Sequence, residues 1–206
     1  MSEPTPSAND VFLNVRKAFR LLHDYQQMVV DSIRYVSAQL DIAPNGGCAW
    51  FAGDAKNGER KLDTPSWDWL PMMGWEFHFV KETSKNEWLS LSFYIASDTG
   101  FYESDANIEK ANVAAFASAE DSKTRVALML RRTHFQTFSF MDDKSAMGQF
   151  LLDGTLPPDL KARGFVAKSY DISHFLTQAS ADRVAEDILS LAKQHGMQLE
   201  RAFKPS

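Results

Sequence analysis

The sequence predicts an α+β fold in which a long amino-terminal helix and further helices pack on a mainly antiparallel sheet of about five to six strands. Three observations lead to this class. A stripe of apolar residues with helical spacing occupies the amino-terminal part of the chain, and two alternating segments later on are joined by a short turn. The regular strand–helix–strand order of a parallel sheet is missing. We expect the helices to cover one face of the sheet.

The length and composition are those of a single globular domain. The chain has 206 residues, of which 44% are hydrophobic and 24% are charged. The first residues are rich in proline and serine, so we expect a disordered tail at residues 1–8 and one domain at residues 9–206.

Charge and cysteine content exclude several functional classes. The formal net charge of −5 argues against a nucleic-acid partner. The single cysteine, Cys48, rules out an intrachain disulfide and favours a cytoplasmic location, and we interpret it as a core residue rather than a nucleophile. Neither a signal peptide nor an apolar run of about 20 residues is seen, so no membrane partner is expected.

The first element is a helix from Val11 to about Asp41, capped by Asn9 or Asp10 and ended by the segment 44–47. A helix of about 30 residues would be roughly 45 Å long. It therefore lies across the sheet, bends or breaks near Gln26, or carries part of its apolar stripe to a partner, for example as a homodimer through helix 11–41. The stripe, with steps of three and four residues, is Phe12, Val15, Phe19, Leu22, Val29, Ile33, Val36 and Leu40.

The centre of the chain predicts a hairpin. Residues 48–52 form a first strand, and alternation of large apolar and polar residues predicts further strands at 75–80 and 89–95. The short turn at 83–86 makes these last two strands antiparallel neighbours.

The remaining elements follow from the same rules of periodicity and capping. The expected strands are 126–130, 135–140 and 164–170. The expected helices are 106–119 after Asp105, a short helix from Asp142 or Asp143 to Gly154, and 181–195 between Ser180 and Gly196.

Two short motifs resemble functional signatures but match them incompletely. Asp98-Thr99-Gly100 resembles an aspartic-protease tripeptide, but it occurs once and is followed by Phe101, so we interpret it as a turn. Gly53 and Gly58 have the spacing of a phosphate loop, but Glu59 follows where that loop needs a lysine. A dinucleotide motif is also missing, and no cofactor is expected.

Glu76 and His78 are candidates for chemistry because they share one face of a predicted strand. With Asp68 they could bind a divalent metal or act as an acid–base pair, and Asp54 with Lys56 is the best of several acid-x-lysine triplets for a metal-dependent nuclease. The alternative is a polar strand face turned to solvent. These residues support a metal-dependent hydrolase or nuclease as an alternative function, with the metal ligands unknown.

A tryptophan-rich loop precedes this strand. Trp67 and Trp69 bracket Asp68 between Pro65 and Pro71, so the rings either grip a partner or plug an open end of the core. We therefore expect a non-enzymatic binding protein that recognises a protein partner or a small molecule through the loop, the hairpin and the following turn. The expected binding residues are Trp67, Asp68, Trp69, Glu76, His78, Asp98 and Tyr102.

A basic group also stands out near one predicted strand. We interpret it as a solvated strand face with charged edges rather than an RNA-binding surface, since the aromatic RNA-binding pattern is missing. Its members are Lys123, Arg125, Arg131, Arg132 and His134.

Overall fold

The computed structural model describes residues 7–50, 74–84, 87–103, 116–133 and 144–202. It confirms the α+β fold with a long amino-terminal helix. The elements in chain order are α1 (Ala8–Gln39), β1 (Ala43–Trp50), β2 (Gly74–Ser84), β3 (Glu87–Ala96), α2 (Gly100–Glu103), β4 (Arg125–Thr133), α3 (Lys144–Asp153), α4 (Pro158–Ala162), β5 (Val166–Asp171), a 3₁₀ helix (Ile172–Phe175) and α5 (Gln178–Gln194).

The described strands form one antiparallel sheet in sequence order, β1-β2-β3-β4-β5. The predicted hairpin is confirmed, with Phe77 opposite Phe93 in the register of β2 and β3. A register shift between Pro44 and Gly47 interrupts β1. A Cβ on Gly47 would lie 2.3 Å from the carbonyl oxygen of Glu76, so only glycine allows the two backbones to approach this closely.

Helix α1 is continuous through Gln26, so the break at this residue, one of the alternatives, is not found. Its N-cap is Ser7 rather than Asn9 or Asp10. Asp10 is instead the third residue of a capping box: the Ser7 side chain accepts from the Asp10 N–H, and the Asp10 carboxylate accepts from the Ser7 N–H. Each bond satisfies a backbone donor that the first helical turn leaves free.

The main core lies between one face of the sheet and the pair α1 and α5. The carboxyl-terminal half of the α1 stripe is buried there, and Tyr25 stacks on Trp75 with ring centroids 5.7 Å apart. The buried stripe residues are Val29, Ile33, Val36 and Leu40. Burial against the sheet, rather than helix propensity alone, therefore stabilises this half of the helix.

The opposite face of the sheet is also covered, so the expectation of helices on one face only is wrong. Phe150 and Leu151 of α3 and Leu160 of α4 pack there against β3 and β4. The strand residues in this second core are Tyr94, Ala96, Ala127 and Met129, with Phe165 beside them. Strand β3 is consequently buried on both faces from Leu89 to Ala96.

The predicted ends and caps of some other elements differ from those in the structure. Residues 116–119 form a bend and a turn rather than the end of a helix. The rest of that predicted helix and the strand at 135–140 lie outside the described residues. Thr177, not Ser180, caps α5, with Ser180 as its capping-box partner. Gly154 and Gly196 end their helices as predicted, with φ of 77° and 65°.

None of the helices in the described part of the chain is long and apolar enough to span a bilayer.

Candidate functional site

A cluster of polar side chains lies on the sheet face away from α1. Side chains on alternate strand residues share a face, which places Glu76 and His78 of β2 together. In the register, Glu76 is opposite Tyr94 and His78 is opposite Ser92. The hydroxyl group of Tyr102 in α2 is hydrogen-bonded to the hydroxyl group of Tyr94. We call these five residues the polar array.

His78 is the centre of the polar array. Its Nδ1 lies 2.9 Å from the Ser92 Oγ, and its Nε2 lies 3.7 Å from the Glu76 Oε2. Burial lowers the pKa of His78, and the nearby charge of Glu76 offsets part of that effect. The imidazole is therefore neutral near pH 7, with one ring nitrogen as donor and the other as acceptor.

The interpretation of Glu76 as a solvent-facing strand residue is wrong. Glu76 is 1% exposed, as is Ser92, while the His78 side chain is 13% exposed. Tyr94, which lies opposite Glu76, is buried in the second core on this face of the sheet. A carboxyl group withdrawn from water needs hydrogen bonds within the protein. Serine, histidine and glutamate in this order can pass a proton, but the buried Ser92 hydroxyl is not presented to a substrate in solution.

The two tyrosines form the other half of the polar array. Their hydroxyl oxygens lie 2.5 Å apart, and burial raises the pKa of both groups. A Cβ on Gly74 would lie 2.7 Å from the Tyr94 hydroxyl oxygen. The glycine at the start of β2 is therefore part of the fit around this pair.

Asp98 has a local role. Its carboxylate accepts a hydrogen bond of 2.8 Å from the Gly100 N–H, which closes the turn before α2. The Thr99 hydroxyl donates to Glu103 and accepts from the Lys123 N–H. The turn interpretation of this tripeptide agrees with these bonds, and the turn sets the position of Tyr102.

The predicted loop residues Trp67, Asp68 and Trp69 lie outside the described residues, as do Asp54 and Lys56. Within the described ranges, no group of three or more histidine, cysteine or acidic residues could hold a metal ion.

Within the described residues, the amino-terminal half of α1 carries most of the exposed large apolar side chains. Every described side chain from residue 9 to residue 21 is exposed. The large apolar ones are Val11 (45%), Phe12 (60%), Leu13 (42%), Val15 (47%), Phe19 (67%) and Leu21 (71%). Val11, Phe12, Val15 and Phe19 lie on one side of the helix, and a contiguous apolar patch of a few hundred Å² is often functional. The sequence carried the signal, since the stripe is longer than a domain of this size can cover.

Sequence reasoning missed a groove at the far end of the molecule. Its volume is about 430 Å³, and its walls come from the end of β4, the turn between α4 and β5, and the end of α5. The lining residues are Arg132, Lys161, Gly164, Phe165, Val166, His195 and Met197. Only the sheet order brings these three segments together.

Comparison with curated proteins and with solved structures gives no match. The family described as PM0109 matches residues 5–199, which is most of the chain. The match includes α1, all the described strands and α5. The chain therefore belongs to the PM0109 family.

Proposed function

We propose that the protein is an interaction protein that forms a homodimer through the amino-terminal half of α1. The observation that carries this proposal is that the exposed and the buried parts of the apolar stripe follow one continuous spacing along α1. Phe12, Val15 and Phe19 continue the three–four spacing of the residues that enter the core further along the helix. Four of the eight stripe residues are buried in the chain's own core, three are exposed, and Leu22 between them is half-buried.

The spacing is that of a coiled-coil seam, in which two helices pack through alternating steps of three and four residues. The protruding part runs from Ala8 to Leu21, or about 21 Å at 1.5 Å per residue. A helix of that length is marginal in water on its own, so a covering partner would stabilise it.

An antiparallel helix pair leaves room for the body of each chain, meaning its sheet and the helices packed on it. From Val29 onwards the stripe faces the chain's own core, and a parallel partner in register would place a second body in the same space. In an antiparallel pair, Phe12 faces Leu22 of the second copy and Val15 faces Phe19. The two bodies then lie at opposite ends of the seam.

The exposed area predicts a reversible dimer. Val11, Phe12, Val15 and Phe19 expose on the order of 400 Å² together, taking about 200 Å² for a free phenylalanine and about 150 Å² for a free valine. A standard interface buries about 800 Å² per partner. The seam supplies about half of that, so we expect association to depend on protein concentration.

The test is the oligomeric state, followed by its geometry. Light scattering over a range of concentrations should show a monomer that becomes a dimer, and a monomer at every concentration would refute the proposal. In a Cys48→Ala background, the double variant Phe12→Cys/Leu22→Cys should form an intermolecular disulfide. Phe12→Cys alone should not, because antiparallel packing separates the two copies of residue 12. A disulfide in the single variant would indicate a parallel pair.

We propose the metal-dependent hydrolase, with ligands among Asp54, Asp68, Glu76 and His78, as a second candidate, because the His78 Nε2 and the Glu76 carboxylate lie 3.7 Å apart on β2. Thermal unfolding with and without Mg²⁺, Mn²⁺ or Zn²⁺ tests it, since a metal that binds only the folded state raises the midpoint. No shift with any of the three ions would remove this candidate.

The aromatic binding surface around Trp67 and Trp69 stays a prediction. If Trp67→Ala and Trp69→Ala leave both thermal stability and partner binding unchanged, that surface has no role in recognition.

A further inference from the structure

We propose that the groove between the α4–β5 turn and the end of α5 binds a small amphipathic anion, a carboxylate or phosphate monoester attached to an apolar group. Its volume of about 430 Å³ lies within the usual range for small-molecule sites. Two properties of the lining define the ligand: a cationic rim and an apolar floor.

The rim carries positive charge on a protein whose net charge is −5. Arg132, Lys161 and His195 line the groove and are exposed, and none of the described lining residues is acidic. The Arg132 guanidinium donates from Nη2 to the Gly196 carbonyl, which fixes the side chain at the end of α5. A guanidinium has five N–H donors, so this bond leaves others for a planar anion.

The floor is apolar and comes from residues at the edge of the core. Phe165 is 4% exposed, and Val166 and Met197 are each 8% exposed. The Cζ atoms of Arg131 and Arg163 lie 5.0 and 5.6 Å from the centre of the Phe165 ring. These two cations add to the positive potential beside the groove.

The same features argue for a small ligand rather than a nucleic acid. The cations surround one concave site instead of forming a stripe, and the whole chain is acidic. A buried aromatic floor contributes through contact with an apolar group, which inorganic phosphate lacks.

The experiment is titration of the full-length protein with phenyl phosphate, hexanoate and inorganic phosphate, followed by calorimetry. We expect saturable binding of phenyl phosphate or hexanoate, with inorganic phosphate at least about tenfold weaker. Lys161→Gln should weaken that binding about tenfold through loss of one charged contact. Lys193→Gln is the matched control, because Lys193 is exposed on α5 but does not line the groove.

Three results would overturn the proposal. One is the lack of saturable binding of either amphipathic anion. Another is an equal loss of affinity in Lys161→Gln and Lys193→Gln, which would show attraction by overall charge. The third is tighter binding of a single-stranded oligonucleotide than of phenyl phosphate, competed by phenyl phosphate, which would assign the site to nucleic acid.

Discussion

Replacement of Phe19 by alanine tests the proposed dimer most directly. Phe19 lies on the α1 stripe, and 67% of its surface is exposed in the single chain. Since the Phe19 side chain is exposed and is not among the described core residues, its removal should leave the folded monomer intact. In the proposed dimer both copies of Phe19 are buried, so the substitution acts twice.

The size of the effect follows from the exposed fraction. Full burial of a phenylalanine side chain is worth about 1.5–3 kcal/mol. Two-thirds of that value, counted for two copies, gives about 2–4 kcal/mol per dimer. At about 1.4 kcal/mol per factor of ten, the dimer dissociation constant should rise roughly 30- to 700-fold.

Sedimentation equilibrium of the wild type and the variant measures this change, and circular dichroism checks that the helix content is kept. Leu21→Ala is the control, because Leu21 is 71% exposed but lies on the side of α1 opposite the stripe. An unchanged dissociation constant for Phe19→Ala, or an equal rise for Leu21→Ala, would refute the seam.

Three further predictions concern the body of the protein. Gly74→Ala should lower the free energy of unfolding by about 1–3 kcal/mol in urea titrations, since the new methyl group would press on the Tyr94 hydroxyl. Because the pKa of His78 is lowered in the folded state from 6.5, stability should fall as the pH drops below that value, and His78→Asn should flatten this slope. Arg201→Ala should lower the free energy of unfolding by about 1.5–3 kcal/mol, because its 16% exposed side chain contacts two α5 carboxylates and Gln39.

Each of these has an outcome that would contradict it. Equal stability of Gly74→Ala and the wild type would mean that the tyrosine pair shifts at no cost. The same pH slope in wild type and His78→Asn would assign the slope to other groups. Retention of full stability by Arg201→Ala would reduce its ion pairs to the small values measured for exposed pairs.

The elements with strong periodicity could be predicted from the sequence. Period-two alternation located the β2–β3 hairpin, and the three–four spacing located α1. The short α2 and α4 and the 3₁₀ helix were missed because four or five residues contain too little of a repeat. The second core was missed for a related reason. The polar residues of β3 resemble a solvent-facing strand, and nothing local shows that α3 and α4 cover them.

The candidate site was also predictable only where local alternation decides the position of a side chain. Alternation alone placed Glu76 and His78 on one face, as the structure has them. Their burial and the contact with Ser92 depend on strand register and on distant helices, which single-sequence patterns do not encode. The cationic groove depends on tertiary structure even more, since its walls are assembled from separate segments of the chain.

Gln26 separates the part of the α1 stripe that is buried in the core from the part that is exposed. It occupies a stripe position, yet it is polar and exposed, and α1 passes through it without a break. In the proposed antiparallel dimer the pairing of Phe12 with Leu22 places Gln26 opposite residue 8 of the second copy, where the partner helix begins. The first N–H groups of a helix have no partner within it, and an amide oxygen can accept from them. A polar residue at one seam position also fixes the register of a helix pair. In the proposed dimer, the interruption of the stripe at Gln26 would therefore mark the boundary between the core of one chain and the seam between the two copies.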